Sequence, residues 1–212
     1  DTFLFGSEQK AILEHPSARK VVDKKALLEY FTFQNIFTDR TLLENVKLFP
    51  PATYGRIDLN SQTKTLQLDS YWDYHFQEPK NPKDRREYKE ELDRLLKQAV
   101  HRQLVTDVEL GSYLSGGMDS GALTALASGR LPYIKTFTCG FDLSSASGME
   151  LAFDERKQAE AMSARYKTEH YEMVLKAGDM ERCLPKLAWH LEEPRVGQSY
   201  PNYYVAGLAS KF

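Results

Sequence analysis

The chain has 212 residues, of which 42% are hydrophobic and 27% charged, and its formal net charge is only -2. This balance excludes bulk electrostatic attraction as a basis for binding nucleic acid or an anionic membrane. No apolar run approaches the roughly 20 residues that a membrane span needs. Two cysteines, Cys139 and Cys183, are too few for a disulfide framework or a metal cluster. We therefore expect two reduced thiols and a cytoplasmic location, since the first ten residues also lack the pattern of a signal peptide.

The first 76 residues contain short predicted elements that end at a polar linker. In chain order these are a strand at residues 2–5, helices at 7–13 and 23–33, and a hairpin made of 54–59 and 64–68. Ser7 and Asp23 are the predicted N-caps of the two helices. Residues 77–86 are polar and contain two prolines, so we place the domain boundary there.

From residue 87 onward, longer helices and strands alternate. The predicted helices cover residues 87–104, 121–128, 154–166, 179–191 and 201–211, and the strands cover 108–114, 133–139 and 169–175. Asp154 is a predicted N-cap, and Pro185 is expected to kink or divide its helix. Such alternation predicts a parallel, doubly wound α/β sheet. Ligands of these sheets bind at the carboxyl ends of the strands, where Ser115 and Cys139 lie.

The turn after the first of these strands reads Ser115-Gly116-Gly117-Met118-Asp119-Ser120. Backbone N–H groups of such a turn, and of the helix that follows, can hold an anion. Asp119 would repel a phosphate unless a divalent cation lay between them, so the loop suggests a nucleotide with Mg²⁺. It is neither a Walker loop nor a dinucleotide fingerprint. A plain strand-to-helix turn is the alternative.

These six residues resemble the SGGxDS loop of the PP-loop ATP pyrophosphatases, and their flanks resemble glutamine-dependent asparagine synthetases. Further segments that fit this family are residues 136–141, 154–155, 169–172, 192–194 and 200–201 in the second half, and 3–13 and 41–51 in the first. The resemblance implies a partial α+β glutaminase (Ntn-type) domain at residues 1–76, a linker at 77–86, and the first part of an adenine nucleotide alpha hydrolase-like synthetase domain at 87–212.

The resemblance also implies a reaction and a set of contacts. A ligase of this family uses ATP to adenylate the side chain of aspartate, and ammonia from glutamine then displaces AMP. The implied nucleotide contacts are Leu114, Ser115, Gly116, Gly117, Met118, Asp119, Ser120 and Cys139. Asp119 is the implied Mg²⁺ ligand. Judged from the residues alone, burial in a strand is favoured over nucleotide contact for both Leu114 and Cys139. A reactive thiol is not expected because no neighbouring cation is evident.

Two departures from the family pattern limit the expectation. Residue 1 is Asp, where such a glutaminase has its nucleophilic Cys, and the second nucleotide loop of the family does not occur in these 212 residues. We therefore expect the chain to be a fragment without synthetase or glutaminase activity of its own, and we assign no catalytic residue. The alternatives are a β-lactam synthetase-like or other carboxylate amidotransferase, a tRNA-modifying PP-loop enzyme, and an ATP-binding fragment without turnover.

Three further expectations concern the surroundings of the loop. His170 is expected to satisfy a local hydrogen bond rather than to catalyse. The segment 192–194 fits a helix cap and the lining of a substrate cleft equally well. ATP, aspartate and glutamine are the implied partners, with no nucleic acid and no membrane, and a homodimer is kept as a candidate assembly.

Overall fold

The computed structural model describes residues 2–61, 63–144, 154–194 and 199–212, which divide into two compact units. Unit 1 contains residues 2–81 and also 190–194, and unit 2 contains residues 82–189 and 199–212. The division falls within the stretch 77–86 that the sequence suggested as a linker. The return of residues 190–194 to unit 1 had no counterpart in the sequence analysis.

Unit 1 combines two short helices with one antiparallel hairpin. Its elements are α1 (Gln9–Leu13), α2 (Lys24–Phe33), β1 (Thr53–Ile57) and β2 (Leu66–Ser70). Asp23 caps α2 as predicted, since its carboxylate accepts hydrogen bonds from the N–H groups of Lys25 and Ala26. The strand predicted at residues 2–5 is wrong, because these residues are described without any strand pairing and apolar character alone supplies no hydrogen-bonding neighbour.

The N-terminus of α1 is capped from far along the chain. The carboxylate of Glu192 accepts hydrogen bonds from the N–H groups of Gln9 at 2.6 Å and Lys10 at 2.7 Å. The predicted Ser7 cap is wrong: Glu8 is the N-cap residue, and no side-chain cap bond comes from it. Glu192 has a φ of 57°, so the backbone turns through the left-handed region where this carboxylate is presented.

Unit 2 is built on a parallel sheet with the strand order β3-β4-β5. Its strands are β3 (Gly111–Tyr113), β4 (Lys135–Phe141) and β5 (Glu169–Leu175), and its helices are α3 (Arg85–Gln103), α4 (Met118–Ser128), α5 (Arg156–Tyr166), α6 (Asp179–Leu191) and α7 (Ser199–Ala209). The predicted parallel α/β sheet is confirmed.

The core of unit 2 lies on both faces of this sheet. On one face the Ser112 hydroxyl lies 2.8 Å from the Thr124 hydroxyl of α4. On the other face, the rings of Phe137 and Tyr171 stack, and the ring of Phe212 lies against both. The buried apolar side chains of unit 2 are Val100, Leu114, Ala127, Ile134, Phe137, Ala159, Leu175, Cys183, Leu187 and Val205.

Several element ends differ from the prediction. Helix α4 begins at Met118 rather than at residue 121, so half of the Ser/Gly turn belongs to its first helical turn. Strand β3 is shorter than the predicted 108–114, and β4 ends two residues later than predicted. Pro185 lies inside α6 without ending it, because buried Cys183 and Leu187 anchor the helix on both sides of the proline.

Candidate functional site

Two serine hydroxyls close the loop between β3 and α4. The hydroxyl oxygens of Ser115 and Ser120 lie 2.8 Å apart, and the Ser115 N–H donates to the Ser120 hydroxyl at 3.1 Å. The Gly117 N–H donates to the Ser115 hydroxyl at 3.2 Å. The loop therefore holds its shape through its own side chains.

Gly116 brings the loop backbone against α5. Its φ of +80° lies in the left-handed region, and a Cβ built there would overlap Gln158 Cβ and lie 3.0 Å from the backbone nitrogen of Ala159. Only glycine combines this φ with this clearance at low cost. The glycine thus seats the loop directly on the first turn of α5.

The loop presents free backbone donors to a ligand. Among the described residues, the N–H groups of Gly116, Met118, Asp119 and Ser120 have no hydrogen-bond acceptor. Such N–H groups, together with the positive end of the helix dipole, form an anion site. The Gly117 N–H, which the sequence assigned to the same role, is used inside the loop instead.

Asp119 lies in the first turn of α4 and is exposed. The hydrogen bonds and ion pairs of the described residues include none to its carboxylate, and no group of three or more metal-ligating side chains occurs in the part of the chain that the structure covers. A lone carboxylate beside an anion cradle fits Mg²⁺, because this ion takes most of its ligands from phosphates and water. It does not fit a cation held by protein alone.

Leu114 and Cys139 lie at the strand ends beside the loop. The Leu114 side chain is 1% exposed, and its carbonyl accepts a hydrogen bond from the Thr138 hydroxyl, so this side chain is part of the core. Burial raises the pKa of the Cys139 thiol to about 11, although Arg156 acts in the opposite direction. The thiol is therefore protonated near neutral pH and is not a nucleophile.

An ion pair at the end of β4 was missed by the sequence analysis. The Arg156 guanidinium donates to both carboxylate oxygens of Asp154, at 2.8 and 2.6 Å, and to the Phe141 carbonyl at 3.0 Å. Hydrogen bonds from Arg156 hold the pKa of Asp154 below its ordinary value. The N-cap residue of α5 is Glu155, one residue later than the predicted Asp154, but the Asp154 carboxylate does accept from the backbone N–H of Arg156, at 3.3 Å, as well as from its guanidinium.

His170 takes part in a network of buried hydroxyl groups, as expected. Its Nδ1 lies 2.9 Å from the Thr136 hydroxyl, and its buried Nε2 lacks a hydrogen-bond partner within the described residues. Glu192, whose role was left open, caps α1 within unit 1. His170 therefore has a hydrogen-bonding role inside unit 2, and Glu192 has a capping role inside unit 1.

A cavity of about 270 Å³ lies along β3 and β4 on the face of the sheet that carries Phe137 and Phe212. Its lining extends from Gly111, the first residue of β3, to Tyr113, the last. None of the loop residues 115–120 lines this cavity, so it is separate from the nucleotide candidate. No helix among the described residues is long and apolar enough to cross a membrane.

Sequence comparisons place both units among known proteins. Residues 91–212 match the profile of the family described as asparagine synthase, and residues 1–72 match that of the glutamine amidotransferase domain. The chain is 27% identical to asparagine synthetase (glutamine-hydrolyzing) 1 of Bacillus subtilis, over 100% of this chain and 32% of that protein.

Two further relatives have similar names and coverage. Asparagine synthetase (glutamine-hydrolyzing) 3 of Bacillus subtilis is 30% identical over 95% of this chain and 32% of its own length. A putative asparagine synthetase (glutamine-hydrolyzing) of Mycobacterium tuberculosis is 29% identical over 90% of this chain and 28% of its own length. The chain thus spans about a third of the length of these relatives.

Proposed function

This chain belongs to the asparagine synthase family, and we propose that it supplies the phosphate-binding half of a site where ATP activates a carboxylate. The observation that carries the proposal is the loop at residues 115–120, with four backbone N–H groups free at the start of α4. In the full-length protein, the proposed reaction is the amidation of aspartate to asparagine with ammonia from glutamine. The names of the relatives support this assignment.

In the first step, an oxygen of the aspartate side chain attacks the α-phosphorus of ATP. The bond from this phosphorus to the bridging oxygen breaks, which gives β-aspartyl-AMP and pyrophosphate. Negative charge grows on the leaving pyrophosphate, so donors fixed in advance around it lower the barrier. In this proposal the unpaired N–H groups of Gly116 and Met118 and the first turn of α4 serve as these donors.

The serine hydroxyls and Asp119 have separate roles in this proposal. Ser115 and Ser120 hold the loop in the shape that leaves its N–H groups free. The Ser115 hydroxyl oxygen can accept one further hydrogen bond, whereas the Ser120 hydroxyl is fully used inside the loop. Asp119 would hold Mg²⁺, which when bound neutralises charge on the phosphates. The backbone groups of Cys139 are the proposed contacts of the adenine base.

In the second step, ammonia attacks the acyl carbon of β-aspartyl-AMP, and AMP leaves with the bonding electron pair, which gives asparagine after loss of a proton. The match of residues 1–72 to a glutamine amidotransferase domain supports glutamine as the ammonia source. Cys139 does not release this ammonia, because its raised pKa keeps the thiol protonated near neutral pH.

The test is ATP–pyrophosphate exchange by the full-length protein in the presence of single carboxylic acids. We expect exchange that depends on aspartate and falls about 100-fold in Ser115→Ala, because the loop loses the hydroxyl that closes it. Ser128→Ala, at the other end of α4, is the matched control and should exchange like the wild type.

Each alternative function has a distinct result in this assay. Exchange with another carboxylic acid but not with aspartate would show that aspartate is not the acceptor. The acceptor would then be that other acid, for example the precursor of a β-lactam ring. ATP binding without exchange would indicate a binding module without turnover. We also propose that the protein is cytoplasmic and that it forms a homodimer. Sedimentation at micromolar concentration would test the homodimer.

A further inference from the structure

Strand β4 extends past its neighbour β3. The two strands pair only as far as Tyr113 and Phe137, whereas β4 continues beside β5 to the pair Phe141 and Leu175. The Phe137 carbonyl accepts from the Leu114 N–H, so the carbonyl groups of residues 137, 139 and 141 point toward β3. Past residue 137 this edge of β4 has no strand partner among the described residues.

The unpaired edge presents one complete donor and acceptor pair. The N–H and C=O of Cys139 point to the open side, and no backbone hydrogen bond within the described chain joins them to the residues after β3. The next carbonyl along this edge, that of Phe141, is occupied by the Arg156 guanidinium at 3.0 Å. Arg156 therefore occupies the last carbonyl group of this edge, and the N–H and C=O of Cys139 are the groups that it leaves available to a ligand.

Arg156 is held rigidly in this place. Asp154 binds the guanidinium through both carboxylate oxygens, and the two side chains are only 25% and 12% exposed. The Arg156 side chain covers Gly140 so closely that a Cβ at that position would lie 2.7 Å from Arg156 Cγ and overlap Nε and Cδ. The backbone on both sides of Gly140 is thus fixed by one arginine.

We propose that Arg156, oriented by Asp154, is a positioning residue that fixes the Cys139–Phe141 backbone and thereby sets the affinity and selectivity for the adenine base of ATP. This inference rests on the proposed function. Adenine presents a donor and an acceptor side by side, which match one C=O and one N–H of a peptide group, whereas guanine presents the reverse order. A peptide group that moves by a fraction of an ångström loses both the affinity and the discrimination.

The test compares ligands that contain the base with one that lacks it. Arg156→Met keeps most of the stem over Gly140 and removes every hydrogen bond of the guanidinium to Asp154 and to the Phe141 carbonyl. Calorimetry on the full-length protein should show the Kd of MgATP raised about 10-fold, the preference for ATP over GTP reduced by a similar factor, and the Kd of pyrophosphate unchanged. Arg156→Lys should recover part of the loss, and Arg165→Met, at the other end of α5, should behave like the wild type.

If Arg156→Met weakened the binding of ATP and of pyrophosphate equally, the inference would be overturned, because the arginine would then support the structure of unit 2 as a whole and not the base contact. Unchanged ATP affinity and base preference would overturn it as well. If Arg156→Met does not fold, Asp154→Asn tests the same geometry with a side chain of equal size. Wild-type protein that binds no ATP, or that binds it equally well after Ser115→Ala, would overturn the proposed function and this inference together.

Discussion

Replacing Gly116 with alanine tests whether the loop is seated on α5 as the structure shows. Two costs add at this position. A φ of +80° costs a residue with a Cβ about 1–2 kcal/mol relative to glycine. The new Cβ would also overlap Gln158 Cβ and lie 3.0 Å from Ala159 N, and overpacking of this kind costs about 1–3 kcal/mol.

The expected loss in the free energy of unfolding is therefore about 2–5 kcal/mol for Gly116→Ala. The neighbouring Gly117→Ala is the matched control. Its φ of -72° suits any residue, and its new Cβ would meet only the Ser115 hydroxyl, at 3.2 Å. We expect Gly117→Ala to cost about 1 kcal/mol or less, from the loss of a favourable N-cap residue.

The assay is urea denaturation followed by far-UV circular dichroism. Unit 2 contains five of the seven helices in the described residues, so the signal at 222 nm reports chiefly on that unit. The two units are fitted as separate transitions, because a single two-state fit is not valid for them. Destabilisation of Gly116→Ala by less than about 0.5 kcal/mol, or equal destabilisation by both alanines, would refute the proposed seating of the loop.

Three further predictions concern single side chains. The N–H groups of Lys10 and Gln9 outweigh desolvation and hold the pKa of Glu192 below its ordinary 4.5. The ionised Glu192 carboxylate therefore stabilises unit 1 by about 1 kcal/mol above pH 4.5, and this stabilisation is lost as the pH falls below that value. Glu192→Gln should remove this pH dependence from thermal unfolding of unit 1 and Glu14→Gln should not; the same acid destabilisation in both variants would contradict the cap. Because its pKa is about 11, Cys139 should react with iodoacetamide at pH 8 about 10- to 100-fold more slowly than a free thiol, measured by mass spectrometry, and equal rates would disprove its burial. Asp119→Asn should weaken MgATP binding about 10-fold but strengthen ATP binding in EDTA, because without a metal ion the carboxylate repels the phosphates, whereas equal losses in calorimetry would exclude a metal role.

The features predicted correctly are those that neighbouring residues determine. The Asp23 cap depends on N–H groups two and three residues away. The extent of β5 follows from a run of seven residues that pairs along its whole length with β4. The turn between β3 and α4 follows from a glycine pair between a strand and an apolar helix, so its place was evident from the local sequence. Its binding of an anion stays a prediction.

Two features were missed for different reasons, one a contact between distant residues and the other a competition within a local segment. Glu192 caps a helix that lies 182 residues earlier in the sequence, and no local pattern identifies such a partner. Asp154 had the residue type and place of an N-cap, and its carboxylate accepts from the backbone N–H of Arg156 at 3.3 Å, but the guanidinium of the same arginine competes for it with shorter, charge-assisted hydrogen bonds. Local sequence rules count only one of these two competitors.

The candidate base contact arises from a difference in length between two neighbouring strands. The predicted strands 108–114 and 133–139 would end almost level, because Tyr113 pairs with Phe137, and they would leave little free edge. In the structure, the paired hydroxyls of Ser115 and Ser120 turn the chain away from the sheet directly after β3, while β4 continues to Phe141 with β5 as its partner. The same serines that shape the phosphate cradle therefore also expose the backbone of Cys139. This link predicts that Ser115→Ala weakens the binding of ATP more than the binding of pyrophosphate. The substitution disturbs both the phosphate and the base contacts of ATP, whereas pyrophosphate has only the phosphate contacts.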